Sequence, residues 1–299
     1  MRKKRKDQKK RLVLIAVLLI LCVLAGIYTV RLAGKVADNR RAAEAAAQAE
    51  AEAAAQQEAE EAAAAEAEAA KKSDSIYAYR GASGDAEYSL AGYDSAVAAG
   101  AGVLAVPFVV SQDGTLYVAD DDYAQDLTGY AGYFSGMTDG QIDNLETKAG
   151  GKVLKLTELF DKYGRDVHYA IELRYTGERN LMALSDLIQK KDYADVVSIS
   201  SQYFSALRSM DNELPNVQKI FICSGEEEWG EALGLEYVDS ISVSKDMMSE
   251  ERCKDAHDRD KKFGAGVLNS EEDIKKVIGM GADFYYTDEA ALAAGAEKE

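Results

Sequence analysis

From Ser73 to Glu299 the chain alternates short apolar runs with longer amphipathic stretches. The runs have the length and composition of strands, and stretches such as LTELFDKYG, MALSDLIQKKD and SEEDIKKVIGMG have the spacing of amphipathic helices. The predicted strands are Ile76–Tyr79, Val103–Val110, Thr115–Ala119, Val167–Leu173, Val196–Ser200, Lys219–Cys223, Ser240–Val243, Phe263–Val267 and Phe284–Thr287. Strands that alternate with helices form parallel sheets, and this number in 227 residues fits a closed barrel better than an open sheet. We therefore predict an α/β fold, a (β/α)8 barrel of the TIM type.

Two local signals refine this barrel. Asp113-Gly114 is a turn signal, which makes the second and third strands a hairpin. Tyr79-Arg80-Gly81 lies where the first strand runs into a glycine-rich loop, and active sites of such barrels lie on the loops after the strands. An arginine in this position can hold an anion in charge-assisted hydrogen bonds.

The N-terminal region predicts a membrane anchor. Residues 1–11 carry eight Lys or Arg and one Asp, a charge of +7, so the remainder of the chain carries −24 (−17 minus 7). The uncharged run Leu12–Val30 would span about 28 Å as a helix, close to the thickness of a bilayer core. We predict a cytoplasmic tail (1–11), an uncleaved single-pass anchor (12–31) and an extracytoplasmic remainder. The alternative is a signal peptide cleaved near Leu32-Ala33-Gly34.

Residues 32–72 are predicted to form a spacer between the anchor and the barrel (73–299). Arg40–Lys72 is rich in Ala, Glu and Gln and contains no Gly or Pro, which predicts a helix of roughly 45–50 Å. It lacks a stripe of large apolar residues, so a solvated stalk is favoured over an alanine-seamed coiled coil. Self-association through the stalk or an envelope protein partner stays open. The acidic exported part argues against a nucleic-acid partner.

Four blocks of the sequence resemble the glycerophosphodiester phosphodiesterase family. YRGASGDAEYSL is similar to its opening His-Arg-Gly and Pro-Glu-Asn-Thr motif, and AGAGVLAVPFVVSQDGTLYVADDD to its Glu-Leu-Asp-Val, Asp-Gly and His-Asp block. LTELFDKYGRDVHYAIELR is similar to its Leu-Glu-Glu helix and Ile-Glu-Ile-Lys strand. GVLNSEEDIKKVIGMGADFYYTDEA is similar to its closing Thr-Val-Asn and Thr-Asp block. The blocks occur in order, and the family also implies the barrel fold.

The resemblance implies cleavage of a glycerol phosphodiester by two histidines and a divalent ion held by carboxylates. The histidine positions are occupied here by Tyr79 and Asp120, and two of the metal-ligand positions by Ala105 and Pro107. Glu172 is the one usual ligand present. A tyrosine with a pKa near 10 is a poor base, and an ionised aspartate does not readily protonate a leaving alkoxide. We therefore expect loss of the standard catalysis.

Other parts of the motif are retained. Arg80, Gly81 and Glu87 match the substrate-binding positions of the opening loop, and Arg80 would contact a phosphate. We expect a phosphate-binding or scaffolding module that holds a phosphorylated glycerol-type or other anionic ligand. The alternatives are an active phosphodiesterase with a rearranged site built from Arg80, Asp120 and Glu172 with Tyr79, and a purely structural envelope spacer. In a further alternative Arg80 pairs with Glu172 or Glu87 and closes the mouth of the barrel, which is the end where the strands run into the loops that carry the site.

Three smaller features leave alternatives open. The acidic run Asp120–Asp122 could approach Glu172 and Glu87 and bind Ca²⁺ or Mg²⁺ weakly, or it could be a solvated loop. Cys223 and Cys253 could pair, although free thiols are favoured. The tyrosine-rich stretch that starts at Tyr123 could stack on a sugar or glycerol group, or could pack over the barrel mouth. His168 is expected to be a packed or hydrogen-bonded strand residue.

Overall fold

The computed structural model describes residues 72–81 and 87–298, which lie in a compact unit from Glu68 to Glu299. The strands are β1 (Ser73–Tyr79), β2 (Ala101–Val110), β3 (Leu116–Val118), β4 (His168–Glu172), β5 (Val197–Ser201), β6 (Gln218–Cys223), β7 (Ser240–Val243), β8 (Lys262–Ala265) and β9 (Phe284–Thr287). The α-helices are α1 (Leu90–Ala98), α2 (Gln125–Thr128), α3 (Asp139–Ile142), α4 (Leu156–Tyr163), α5 (Glu178–Lys191), α6 (Phe204–Glu213), α7 (Glu226–Gly234), α8 (Glu250–His257), α9 (Glu271–Gly279) and α10 (Ala290–Ala296). Short 3-10 helices cover Phe134–Gly136 and Lys245–Met247.

Eight of the strands close into a parallel barrel. The order is β1-β9-β8-β7-β6-β5-β4-β2, and the parallel pairing of β1 with β2 completes the ring. The remaining strand, β3, lies antiparallel to the outer part of β2, with Phe108 opposite Val118 and Val110 opposite Leu116. The predicted (β/α)8 barrel and the hairpin at Asp113-Gly114 are both confirmed.

Strand β2 shows why the sequence forms a parallel barrel. All ten of its residues, AGVLAVPFVV, are buried, because Val103 and Ala105 pack inside the barrel while Leu104 and Val106 pack in the core under the helices. Pro107 lacks an N–H group and is rare inside sheets. It lies opposite Glu172 at the last paired position with β4, and the next residue, Phe108, already pairs with β3. The proline therefore occupies the point where the strand changes partner.

The barrel interior is filled mainly by aromatic rings. Tyr77 packs against Phe284 and Tyr286, with ring centroids 4.7 and 5.2 Å apart, and Tyr79 meets Tyr286 edge-on. A Cβ atom on Gly264 would lie 2.3 Å from the Phe284 ring, so a residue without a side chain is required there. The larger core lies between the strands and the helices. The rings fill the middle of the barrel, and cavities lie at its amino end and at its carboxyl end.

Several other predictions can be compared with the structure. Cys223 and Cys253 are both buried and unbonded, as favoured. The prediction for His168 was wrong: this first residue of β4 is exposed, because it borders an open cavity at the amino end of the barrel. The anchor (Leu12–Val30) and the spacer up to residue 71 lie outside the described residues. Within residues 72–81 and 87–298, no helix is long and apolar enough to cross a membrane.

Candidate functional site

The loop after β1 begins with a constrained backbone. Arg80 has a φ of 60° and Gly81 a φ of 92°, both in the left-handed region. A Cβ atom at position 81 would lie 2.8 Å from the backbone nitrogen of Tyr93 in α1. Only glycine allows the loop to turn this close to the helix, and the turn sets the direction in which the Arg80 side chain leaves the barrel.

The Arg80 guanidinium is held by two carboxylates. Its Nε and Nη2 donate to the two oxygens of Asp288 at 3.1 and 2.8 Å, and its Nη1 donates to Glu87 at 3.2 Å. Asp288 is buried and also accepts from Asn269 at 2.9 Å. The hydrogen bond to Asp288 raises the pKa of Arg80. The expected pairing with Glu87 is thus present and the one with Glu172 is not. Asp288 was missed, although it lies in the closing motif Tyr286-Thr287-Asp288.

A second arginine connects the positions expected to carry catalysis. The Arg174 Nε donates to Glu172 at 2.8 Å, its Nη1 to the backbone carbonyl of Asp120 at 3.2 Å, and its Nη2 to the Tyr79 hydroxyl. One guanidinium therefore joins the ends of β1 and β4 and the loop after β3. Sequence reasoning did not single out Arg174, although it follows the strand in the quoted stretch IELR.

Burial governs the protonation of this cluster. Burial raises the pKa of Glu172, and the charge and hydrogen bond of Arg174 oppose that rise. The Glu172 side chain is 16% exposed, so a charged form depends on the guanidinium beside it. Burial and the Glu172 charge also raise the pKa of Tyr79. Tyr79 therefore remains a neutral phenol at physiological pH and cannot act as a proton acceptor in the way a histidine does.

The two positions expected to carry metal ligands are occupied by residues that pack in the barrel. Ala105 lies opposite Tyr79 and Ala170 and belongs to the apolar cluster inside the barrel. Pro107 lies opposite Glu172 and provides no side-chain ligand. Among the residues that the structure describes, no group of three His, Cys, Asp or Glu side chains could hold a metal ion.

The acidic run is used for local structure. Asp121 accepts from the Tyr123 backbone at 2.8 Å and from the Tyr175 hydroxyl at 3.3 Å. Asp122 accepts from the backbone and the hydroxyl of Ser135 at 2.8 and 2.5 Å. These bonds tie Asp121 and Asp122 to their own loop, whereas Asp120 lines the same clefts as Glu87 and Glu172.

Comparison with known proteins identifies the fold and the family. The sequence profile described as "Glycerophosphoryl diester phosphodiesterase family" matches residues 79–292. The chain belongs to this family. The comparison with curated protein sequences finds no match.

Solved structures of glycerophosphoryl diester phosphodiesterases share the barrel at low sequence identity. A putative member from Silicibacter pomeroyi is 18% identical, with 77% of this chain and 95% of that chain covered and a TM-score of 0.67. An Oleispira antarctica phosphodiesterase in complex with the product sn-glycerol-3-phosphate is 20% identical, with 75% of this chain and 96% of that chain covered and a TM-score of 0.69. A glycerophosphodiester phosphodiesterase from Thermotoga maritima is 21% identical, with 74% of this chain and 96% of that chain covered and a TM-score of 0.61. These similarities establish the fold.

The divalent ion that the glycerophosphodiester phosphodiesterase resemblance implies does not fit the residues of this member. Ala105 and Pro107 offer no oxygen ligand, and the carboxylate of Glu172 is bonded to a guanidinium. A divalent cation beside Glu172 would have to approach the positive charge of Arg174. The other carboxylates of that cleft belong to Asp120 and Asp121, and Asp121 is already bonded to Tyr123 and Tyr175. This set falls far short of the six to eight oxygen ligands usual for Ca²⁺.

Proposed function

We propose that this family member does not hydrolyse glycerophosphodiesters and acts as a binding or scaffolding barrel. The observation that supports this is the position of Arg174, which bonds to Tyr79, to the Asp120 carbonyl and to Glu172. One permanently charged side chain thereby joins Tyr79 and Asp120, the positions expected to hold the base and the acid, to Glu172, the one expected metal carboxylate that is present. Each general acid or base contributes roughly 10²–10⁴-fold to a rate, so losing both removes the standard reaction.

The contacts of Arg80 bear on the expected phosphate ligand. Asp288 holds two of its nitrogens from a buried position, whereas Glu87 makes one contact at 3.2 Å and has a side chain 30% exposed. A phosphate would have to displace Glu87 and would still face the charge of Asp288. These contacts favour the alternative in which Arg80 closes the mouth. The contacts of Arg80 therefore support a phosphate ligand less well than they support closure of the mouth.

A hydrolysis assay on the purified full-length chain tests the proposal. We expect no release of glycerol 3-phosphate from glycerophosphodiesters above the blank, with Ca²⁺ or with Mg²⁺. An active phosphodiesterase serves as the positive control for the assay. Turnover that disappears in Glu172→Gln would refute the proposal and establish a phosphodiesterase with a rearranged site.

The proposal also includes the location of the barrel. The apolar run Leu12–Val30 and the basic residues before it support a single-pass anchor with the barrel on the extracytoplasmic side. The Ala- and Glu-rich residues of Arg40–Lys72 would then hold the barrel at a distance from the membrane.

A further inference from the structure

Two exposed tyrosines line the barrel mouth beside Arg174. Tyr175 follows β4 and Tyr203 follows β5, and they are 37% and 44% exposed. Both line two clefts of about 480 Å³ each. The tyrosines that the sequence suggested for stacking, Tyr123 and Tyr133, instead pack on each other at 5.2 Å. Tyr175 and Tyr203 are therefore the aromatic surfaces available to a ligand in these clefts.

Hydrogen bonds fix both rings in place. The Tyr175 hydroxyl accepts from the Asp122 backbone at 2.9 Å and donates to Asp121 at 3.3 Å. The Tyr203 hydroxyl accepts from the Gln202 amide at 3.1 Å. A tyrosine with a bound hydroxyl presents its apolar faces without a large cost in side-chain entropy. The walls of the clefts are thus preorganised.

The polar groups around the clefts include both donors and acceptors. Arg174 uses three of the five N–H donors of a guanidinium, which leaves two. The amide groups of Asn180 and Gln202 are each oriented by one bond, to the Tyr175 carbonyl and the Tyr203 hydroxyl, in which the nitrogen donates. Their amide oxygens are acceptors. A ligand that uses all these groups must both donate and accept hydrogen bonds.

The charges of one cleft disfavour a simple anion as the ligand. Asp120, Asp121, Glu172 and Arg174 line this cleft, three carboxylates against one guanidinium. The carboxylates repel an anion, and a cation would leave the hydrogen-bond donors of Arg174 without an acceptor. A hydroxyl group can serve both kinds of partner, because it carries one donor and two lone pairs.

A smaller pit continues the site towards the barrel axis. Its volume is about 180 Å³, and it shares Glu172, Arg174 and Ile222 with the neighbouring cleft. Tyr286, which is 8% exposed, also lines the pit. Its hydroxyl lies near Ser200 but makes no hydrogen bond of normal geometry among the described residues. The pit beside Tyr286 is large enough to admit a small polar group of a ligand.

We propose that the mouth of this barrel binds a neutral carbohydrate, with a sugar ring against Tyr175 and Tyr203 and its hydroxyl groups on Arg174, Asn180 and Gln202. The inference rests on the proposed function, because it gives a ligand class to a barrel that binds without hydrolysis. Aromatic faces contact the apolar C–H side of a sugar ring, and the surrounding donors and acceptors match its hydroxyl groups. In an open cleft a single disaccharide is expected to bind with a Kd of about 1 mM.

Saturation-transfer difference NMR on the full-length chain tests this directly. The probes are three neutral disaccharides, namely maltose, cellobiose and N,N′-diacetylchitobiose, with glycerol 3-phosphate as the anionic comparison. At least one disaccharide is expected to give a saturable signal. Tyr175→Ala and Tyr203→Ala are each expected to weaken that binding by about threefold to tenfold. Tyr130→Ala is the matched control, because Tyr130 is 47% exposed and lines neither cleft.

The outcomes separate this inference from the proposed function. Saturable disaccharide binding that Tyr130→Ala retains and the other two variants weaken supports the carbohydrate site. The inference is overturned if none of the three disaccharides gives a saturable signal at about fifty times the expected Kd. It is also overturned if Tyr130→Ala weakens disaccharide binding as much as the other two variants do, or if glycerol 3-phosphate binds more tightly than the disaccharides. Thermal unfolding of each variant verifies its fold. The hydrolysis assay is independent, so the barrel can be inactive whether or not a sugar binds.

Discussion

At the scale of single residues, Arg174 does most to determine the chemistry of the mouth. It neutralises Glu172, bonds to Tyr79 and orients the loop at Asp120 through its carbonyl. The Lys of the family motif Ile-Glu-Ile-Lys corresponds to this arginine. A planar guanidinium can bond to three partners in fixed directions, which a lysine ammonium does less specifically.

Replacing Arg174 by glutamine is expected to destabilise the barrel. The change leaves the buried Glu172 carboxylate without its cation and should lower the free energy of unfolding by about 1–3 kcal/mol. Breaking a fully buried ion pair would lower the free energy of unfolding by more than this. We expect the smaller loss because the Arg174 side chain is 34% exposed, so that water partly solvates the pair. Urea denaturation measures the change. Arg165→Gln is the control, because Arg165 forms an exposed pair with Asp195; equal stability of the two variants would contradict the prediction.

The raised pKa of Glu172 predicts a specific pH dependence of stability. The folded protein holds the Glu172 proton more tightly than the unfolded chain does. The stability that this proton contributes is therefore fully present below 4.5, the ordinary pKa of a glutamate, and is lost as the pH rises through the raised pKa of Glu172 in the folded protein. Relative to Glu172→Gln, the wild type should therefore lose stability as the pH rises from about 4.5 towards neutrality. Urea denaturation at several pH values measures the difference. Parallel stability curves for the two proteins would show that Glu172 titrates normally.

At the scale of elements, the strands keep the mouth in register. Tyr79 lies opposite Ala105, and Pro107 lies opposite Glu172, so β1 and β4 both end beside β2, which continues to Val110. The aromatic ring of Phe284 from β9 fills the space above Gly264 in β8. These contacts inside the barrel hold the strands from which the Tyr79 and Glu172 side chains extend.

Gly264→Ala is expected to disturb this interior packing. The new methyl group would lie 2.3 Å from the Phe284 ring, and such overpacking typically costs about 1–3 kcal/mol of stability. Gly230→Ala in α7 is the matched control, since nothing lies within 4 Å of its Cβ position. Alanine should stabilise that helix by about 0.5–1 kcal/mol. Chemical denaturation of both variants measures the contrast, and a neutral Gly264→Ala would mean that the ring moves aside freely.

At the scale of the whole molecule, stability should be independent of divalent cations. An ion bound to the folded chain at a hundred times its Kd would add about 2.7 kcal/mol to the free energy of unfolding. With Ala105 and Pro107 in the metal-ligand positions, we expect the same thermal unfolding midpoint in a chelator, in Ca²⁺ and in Mg²⁺. A stabilisation by either ion that Glu172→Gln abolishes would establish a metal site at the mouth.

The proposed anchor makes a prediction about topology. Protease added to intact cells should remove a tag at the C-terminus and leave a tag at the N-terminus protected, because residues 1–11 carry the positive charge that stays in the cytoplasm. Cells opened with detergent provide the control for both tags. Recovery of a soluble secreted form that begins near Gly34 would indicate a cleaved signal peptide instead.

The sequence by itself determined the strands, their order and the family. The predicted Ser240–Val243 and Phe284–Thr287 agree with the structure at both ends, and Tyr79 is the last residue of its strand as expected. Such features depend on local apolar runs and turn residues, which a linear pattern records. The sequence also located the predicted positions of the acid, the base and the metal ligands, because each lies within a recognisable motif.

Only the tertiary structure decided which side chains meet at the mouth. Arg80 and Asp288 are separated by 208 positions, and Arg174 and Tyr79 by 95, yet both pairs are in contact. The sequence offered Glu172 and Glu87 as partners for Arg80, whereas the structure assigns Glu172 to Arg174. Closure of the barrel brings β1, β4 and β9 to one rim, and the short reach of a hydrogen bond then selects among several carboxylates that the linear order leaves equivalent.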